Sequence, residues 1–307
     1  MENIIEIKNL NKSYGSQQAI TNLSFVVKEG ELFSFLGVNG AGKSTTINII
    51  CGVLSKDNGT VIVNGHNIDD NLNLIKSDIG VVFQNSYLDQ ELTVKDNLKL
   101  KASLYGIYGK EFNEKVKVLS KMLDFEDYIN KSVKKLSGGQ KRRIDIARAL
   151  IHSPKILILD EPTTGLDPQT RKLLWNVIST LRKQKNMTVI LTTHYMEEAS
   201  ESDYIVIIDK GVVSARGTPL ELKNKYTNDS ITLYNINEDK VKDLGYDYQV
   251  LKNSIRLSIK TPKDATELII KHPDIFIDYE ISKGKMDEIF LSVTGKNLME
   301  ISNNENA

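Results

Sequence analysis

Polar and apolar residues alternate from Glu2 to Lys8, which predicts a strand with one buried face. The turn residues Ser13-Tyr14-Gly15-Ser16 lead to a second strand, Ile20 to Val27, ending at Glu29-Gly30. Thr60 to Val63, closed by Asn64-Gly65, predicts a third, so these three predict an antiparallel layer. A different texture marks Glu31–Leu36, Ile79–Phe83, Ile156–Leu159, Val189–Leu191 and Tyr204–Ile208, where apolar residues run continuously. Such runs predict strands covered on both faces, and so a parallel sheet between helices. Ile47 to Leu54 carries helical periodicity. Between Asn85 and Lys135 the spacing of Phe112, Val116, Leu119 and Leu123 predicts a helical insertion. Asp167-Pro168 starts a further helix, with Leu173, Leu174, Val177, Ile178 and Leu181 as its buried stripe and Trp175 as packing. Lys210-Gly211 reads as a hairpin turn, and Thr218-Pro219 caps a short helix toward Lys225.

Beyond Tyr226, Asn, Asp and Lys become frequent. Strands are predicted over Ile231–Ile236, Tyr248–Lys260 (with a turn at Asn253-Ser254) and Ile275–Ile281, and helices over Ala265–Lys271 and Met286–Val293. The expectation is an α/β domain over residues 1–226, with a helical insertion at about 86–145, and a small α+β domain over 227–307, disordered from about Ser302.

Composition narrows the function classes. Among 307 residues, 40 Lys and Arg balance 40 Asp and Glu, so the overall charge does not point to a nucleic-acid partner. The basic run Lys141-Arg142-Arg143 has no interleaved aromatics and reads as a solvated helix face. One cysteine, Cys51, excludes an intrachain disulfide, suits a reducing compartment and reads as a buried structural thiol. The opening MENIIEIKNL reads as a strand rather than a secretory signal. No apolar run approaches the ~20 residues that span a bilayer, so membrane work would need a partner.

The chemistry gathers at strand ends. Gly37-Val38-Asn39-Gly40-Ala41-Gly42-Lys43-Ser44-Thr45 lies between a strand and a helix and fits the pattern of a phosphate-binding loop. Its glycines let backbone N–H groups face a phosphate, and the helix start adds a positive dipole end. Lys43 can reach the outer phosphates, and Ser44 offers a hydroxyl to Mg²⁺. Three further strands end at Gln84, at Asp160-Glu161 and at Thr192-Thr193-His194. Ligands sit beyond the carboxyl ends of such strands, so the four ends predict one site. There Asp160 would hold Mg²⁺ and Glu161, pointing elsewhere, would orient or deprotonate the attacking water. Gln84 would touch Mg²⁺ or water, and His194 would donate to the outermost phosphate. Leu136-Ser137-Gly138-Gly139-Gln140 is a second anion-accepting helix start with Ser137 as N-cap. Tyr14 could stack on a base or pack at a strand end. His66, His152 and His272 read as surface or turn residues.

These residues resemble one family, the ATP-binding cassette (ABC) ATPases, over about residues 2–220. GVNGAGKST is similar to its Walker A loop, LSGGQ at 136–140 to its signature sequence, KILILDEP at 155–162 to its Walker B segment with the catalytic glutamate, and GLD at 165–167 to its D-loop. The resemblance extends to Tyr14 as the adenine-stacking aromatic, Gln84 as the Q-loop and His194 as the switch histidine. It implies a P-loop NTPase (RecA-like) core with an antiparallel layer and a helical subdomain, and ATP and Mg²⁺ as ligands. It further implies a head-to-tail homodimer, in which Ser137, Gly138, Gly139 and Gln140 meet the partner's nucleotide and Asp167 crosses the interface. A separate transmembrane permease would be gripped by residues after Gln84, placing the chain at the cytoplasmic face of the membrane. The tail KGKMDEIFLSVTGKNL at 283–298 resembles that of drug- and antibiotic-resistance-type exporters, with Lys285-Met286 departing from the usual pattern. The expected function is ATP-driven export of a drug, peptide or lipid. An importer subunit, or a soluble cassette ATPase acting on ribosomes or DNA, are the alternatives; the single Walker A and the lack of a heptad arm weigh against the soluble one.

Overall fold

The computed structural model describes residues 2–295, so Lys296 to Leu298 of the tail and the disorder expected from about Ser302 lie outside the described residues. The chain divides into two compact units, Met1–Arg216 and Gly217–Ala307. The division falls earlier than the expected boundary after Tyr226, because the helix at 219–226 packs on the helix at 286–294 within the second unit.

In the first unit, Asn3–Tyr14 (β1) and Gln17–Lys28 (β2) are longer than the alternation alone marks, because their pairing, though shifted in register at several points, extends down to Tyr14 opposite Gln17. The expected four-residue turn therefore shrinks to Gly15-Ser16. Next come Leu32–Leu36 (β3), Lys43–Ile50 (α1), Asn58–Val63 (β4), His66–Asn67 (β5), Leu72–Asp78 (α2) and Ile79–Val82 (β6). Helix α1 stops short of Leu54, at Cys51 and the left-handed Gly52. The helical segment holds Val94–Ser103 (α3) and Gly109–Met122 (α4), followed by Gly138–Leu150 (α5). The unit then runs through Ile156–Asp160 (β7), Pro168–Lys185 (α6), Thr188–Thr193 (β8), Met196–Ser200 (α7), Tyr204–Asp209 (β9) and Val212–Gly217 (β10).

The antiparallel layer has the order β2-β1-β4-β5 and the main sheet the order β10-β9-β3-β8-β7-β6. Strands β9, β3, β8, β7 and β6 are mutually parallel, as the continuous apolar runs predict. Phe25 of β2 stacks on Phe33 and packs on Phe35 of β3, at ring centroid distances of 5.2 and 5.4 Å, which joins the two layers. The helical segment shares one core with the sheet: Leu98, Phe112, Val116 and Leu123 belong to the same buried cluster as Leu157, Leu159 and Val189. Among the described residues no helix is long and apolar enough to cross a membrane.

The second unit contains Pro219–Tyr226 (α8), Asp229–Tyr234 (β11), Asp239–Lys242 (α9), Tyr248–Val250 (β12), Ser254–Ile259 (β13), Pro262–Lys271 (α10), Tyr279–Ser282 (β14) and Met286–Thr294 (α11). Its antiparallel sheet has the order β12-β13-β11-β14. The β-α-β-β-α-β succession, with its first and third strands central, is the split βαβ arrangement. Ile231, Leu233, Ile255, Leu257 and Ile259 form its core with Val241, Ala265 and Leu268 of the helices. The strand expected over Ile275–Ile281 is shorter, because Phe276 turns into that core and pairing begins only at Tyr279.

Candidate catalytic edge

The four parallel strands deliver their carboxyl ends to one side of the main sheet. Leu36 lies opposite Thr193, and Thr192 opposite Asp160, so the phosphate loop, His194 and the Asp160-Glu161 pair leave neighbouring strands at one level. Strand β6 ends at Val82 and is followed by Phe83-Gln84.

Beyond β3 the chain makes a tight loop that only glycine fits at two points. A Cβ on Gly37 would stand 2.6 Å from the Ile208 carbonyl oxygen, and one on Gly42 would stand 2.8 Å from that of Ala19. Gly42, at φ 106°, is the N-cap of α1 and offers no side chain to the first-turn amides. This first turn borders a cavity of about 440 Å³ lined by Gly40, Gly42, Lys43, Ser44 and Thr45. Tyr14, Gln17, Gln18, Val38, Asn39, Gln84, Glu161 and Lys210 complete its walls. Tyr14 is half exposed at the end of β1, with the Lys12 ammonium 5.9 Å from its ring. Gly37 and Ala41 shape the loop from behind: Ala41 is buried, and its N–H donates to the Val38 carbonyl at 3.1 Å.

Three polar groups converge on Glu161. The amide of Gln84 donates to Oε2 at 3.4 Å, His194 Nδ1 stands 3.5 Å from the same oxygen, and Lys43 Nζ stands 3.7 Å from Oε1. The His194 approach is an ion-pair distance rather than a formed hydrogen bond, so this buried Nδ1 has no hydrogen-bond partner among the described residues. His194 and Lys43 hold the Glu161 carboxyl below the ordinary carboxylate value, against the burial that would raise it. Lys43 is buried, and its ammonium donates to the carbonyls of Gly37 at 2.7 Å and Val38 at 3.1 Å.

Asp160 and Glu161 point to different sides, as expected of successive residues. Asp160 is buried and accepts a hydrogen bond from the Thr192 hydroxyl at 2.5 Å, whereas Glu161 lines the cavity. Glu161 has φ 45°, a left-handed backbone that costs a non-glycine residue about 1–2 kcal/mol. Its N–H donates to both the carbonyl and the hydroxyl of Thr192, at 3.1 and 3.0 Å, and this fork holds the turn.

The basic run at 141–143 needs a correction. Arg142 is not a solvated side chain; it is 7 % exposed, and its guanidinium donates to four backbone carbonyls. These are Phe83 at 2.5 Å, Pro162 at 3.0 Å, and Asp160 and Glu161 at 3.3 Å each. A planar fork of five donors suits such a cluster of oxygens. The polar neighbours of Arg142 in the sequence hide this role; its position on the inner face of α5, with the buried Ile144 and Asp145 close behind, is the signal that reveals it.

The signature segment is placed elsewhere. Ser137, Gly138, Gly139 and Gln140 do not line the cavity; they open α5. Ser137 Oγ accepts from Gln140 N at 3.2 Å and Gln140 Oε1 accepts from Ser137 N at 3.0 Å, a capping box. Asp167 caps α6, accepting from Thr170 N at 2.9 Å, and a Cβ on Gly139 would come within 3.2 Å of Asp167 Oδ2. Thus Gly139 and Asp167 are neighbours in one chain.

Three expectations about bystanders also resolve. Cys51 is buried, and burial pushes its thiol up to about 12. His152 lies in a turn, as expected, but is partly buried there: it stacks on Tyr105 at 4.0 Å, and burial pushes its imidazole down to about 4. Trp175 packs against the main core cluster, as expected.

A phosphate-cradling loop, a buried lysine and a carboxylate with polar partners at the end of a parallel strand define an ATPase of the P-loop class. The ABC transporter family model matches residues 20–164. The linearmycin resistance ATP-binding protein LnrL of Bacillus subtilis (strain 168) is 33% identical over 97% of this chain and 100% of its own length. The Nod factor export ATP-binding protein I of Cupriavidus metallidurans (strain CH34) is 32% identical over 98% of this chain and 100% of its own length. A bacterial ABC transporter cassette solved as a dimer superposes with a TM-score of 0.65 and 31% identity, covering 70% of this chain and 98% of that one. This chain belongs to the ABC transporter ATP-binding proteins and is an ABC-family ATPase.

Proposed function

We propose that this chain is the ATP-hydrolysing subunit of a membrane exporter and works as a head-to-tail pair of copies on a separate transmembrane permease. The observation that carries the reading is the convergence of Gln84, His194 and Lys43 on Glu161 beside an uncapped helix start. Tyr14 stacks on the adenine at the rim. The amides of Gly40 to Thr45 take the phosphate oxygens, and Lys43 exchanges the Gly37 and Val38 carbonyls for the outer phosphates. The donor set also fits Mg²⁺. Ser44 and Gln84 would hold it from the cavity wall and Asp160 from behind, and when bound it offsets the phosphate charge. Glu161, kept ionised, accepts a hydrogen bond from the attacking water and draws its proton. His194 donates to the outermost phosphate.

Ser137, Gly138, Gly139, Gln140 and Asp167 serve the nucleotide of the second copy, which accounts for their lying outside this chain's own cavity. The neighbour solved as a dimer supports that pairing. Export is supported by the two relatives, named for resistance and for export, whose likeness includes the second unit because it spans nearly the whole chain. The cargo class is a drug, peptide or lipid, and the chain sits peripherally at the cytoplasmic face.

The test is Glu161→Gln. We expect turnover to fall by about 10²- to 10⁴-fold, while MgATP binding persists and gel filtration shows an ATP-dependent dimer. Normal turnover, or turnover by a strict monomer, would overturn the reading.

A further inference from the structure

Behind the catalytic edge lies a second carboxylate that none of the roles above uses. Glu198, on α7, is 4 % exposed, and its partners are two hydroxyls rather than a cation. Oε1 accepts a short hydrogen bond from Thr163 Oγ1, and Oε2 accepts from Thr193 Oγ1 at 2.8 Å. Both threonines are about 1 % exposed. Thr163 lies two positions after Glu161, and Thr193 immediately precedes His194. Thr193 Oγ1 also accepts from Tyr195 N at 2.9 Å, so the backbone is held on both sides of His194. The Tyr195 ring packs on the His194 ring at 4.1 Å.

Burying a carboxylate is costly unless its oxygens are satisfied. Placing one here, with a hydroxyl from each of two catalytic segments, gives those segments a common anchor. We propose that Glu198 is a positioning residue for hydrolysis: by bridging Thr163 and Thr193 it sets the spacing between Glu161 and His194, 3.5 Å at Oε2 and Nδ1. This rests on the reading of Glu161 and His194 as catalytic. Glu198 touches no reacting atom; it acts through the two strand ends that it ties together.

The experiment uses the full-length chain in steady-state ATPase assays of Glu198→Ala, Glu198→Gln and Thr163→Val. Small displacements of catalytic groups cost up to about a hundredfold, so we expect Glu198→Ala to lose ~10-fold or more in kcat. KM for ATP should stay within about twofold, since the nucleotide cavity is untouched. Glu198→Gln should restore most of kcat, because an amide can accept from one threonine hydroxyl and donate to the other. Thr163→Val removes one arm with nearly the same shape and should lower kcat alone, which keeps the test alive should Glu198→Ala fail to fold. Wild-type kcat in Glu198→Ala or Thr163→Val, a loss carried by KM, or equal impairment of the Ala and Gln variants would overturn the bridge. A turnover-competent Glu161→Gln would instead sink the underlying assignment of the base.

Discussion

Two helix starts in the first unit look alike in the sequence and differ in the fold. Helix α1 begins after Gly42 with no side chain on its first amides, whereas α5 begins with a reciprocal Ser137–Gln140 box. Both patterns, glycine-rich and followed by a helix, read as anion acceptors. The first faces its own cavity and carries Lys43 within it; the second is satisfied within its own first turn and lies outside that cavity. A helix start that leaves its donors open costs the fold stability and gains a ligand site. One that closes them can stand alone until a surface of the right charge arrives. On the proposed reading the two starts are thus prepared differently: one for the nucleotide of its own chain, the other for that of a second copy.

That contrast can be broken most directly at Lys43. Lys43→Ala removes the charge from the open start, and nucleotide affinity of the isolated chain should fall about a hundredfold, as expected for a lost charge-assisted contact; titration calorimetry reads it. Unchanged affinity would make the two starts equivalent. Ser137→Ala should behave in the opposite way. Affinity of the single chain stays as it was, turnover drops by about tenfold or more on the dimer reading, as for a lost hydrogen bond to a charged group, and the lost cap costs about 1 kcal/mol in thermal unfolding. A loss of single-chain affinity in this variant would erase the distinction.

A last test sharpens the picture of α5. Burial pushes Asp145, on its inner face, from the ordinary 3.8 up to about 6, against the hydrogen bond from Ser86. The folded chain therefore holds this proton more tightly than the unfolded one. The resulting stabilisation is full below about 4 and is lost as pH rises through about 6. Asp145→Asn lacks that titration. Its melting temperature should gain on the wild type between pH 4 and pH 7 and then level off. A gap independent of pH would show that Asp145 is not the group responsible.

Much of the catalytic edge was legible because its residues are contiguous strings at the ends of apolar runs. GVNGAGKST, LILDEP and TTH each carry their own context, and a parallel sheet brings such ends together whatever the strand order. The strand order itself was not legible, since it depends on crossovers rather than on any one segment. Arg142 was misread because its neighbours Lys141 and Arg143 are polar; burial is decided by which carbonyls fall within reach, and these come from Phe83 and from Asp160 to Pro162. Glu198 was invisible for the same reason, as its two partners lie far apart in sequence. In the second unit the run Ile275–Ile281 has strand composition throughout, yet the core takes Phe276 and leaves Ile277 85 % exposed, so only its end pairs.

The grip of Arg142 carries one more implication. A single rigid plane on α5 is fastened to the chain before Gln84 and to the turn bearing Glu161, so these three cannot shift independently without tearing several hydrogen bonds at once. On the proposed reading, a displacement of that helix would reach the turn that bears Glu161 through one side chain.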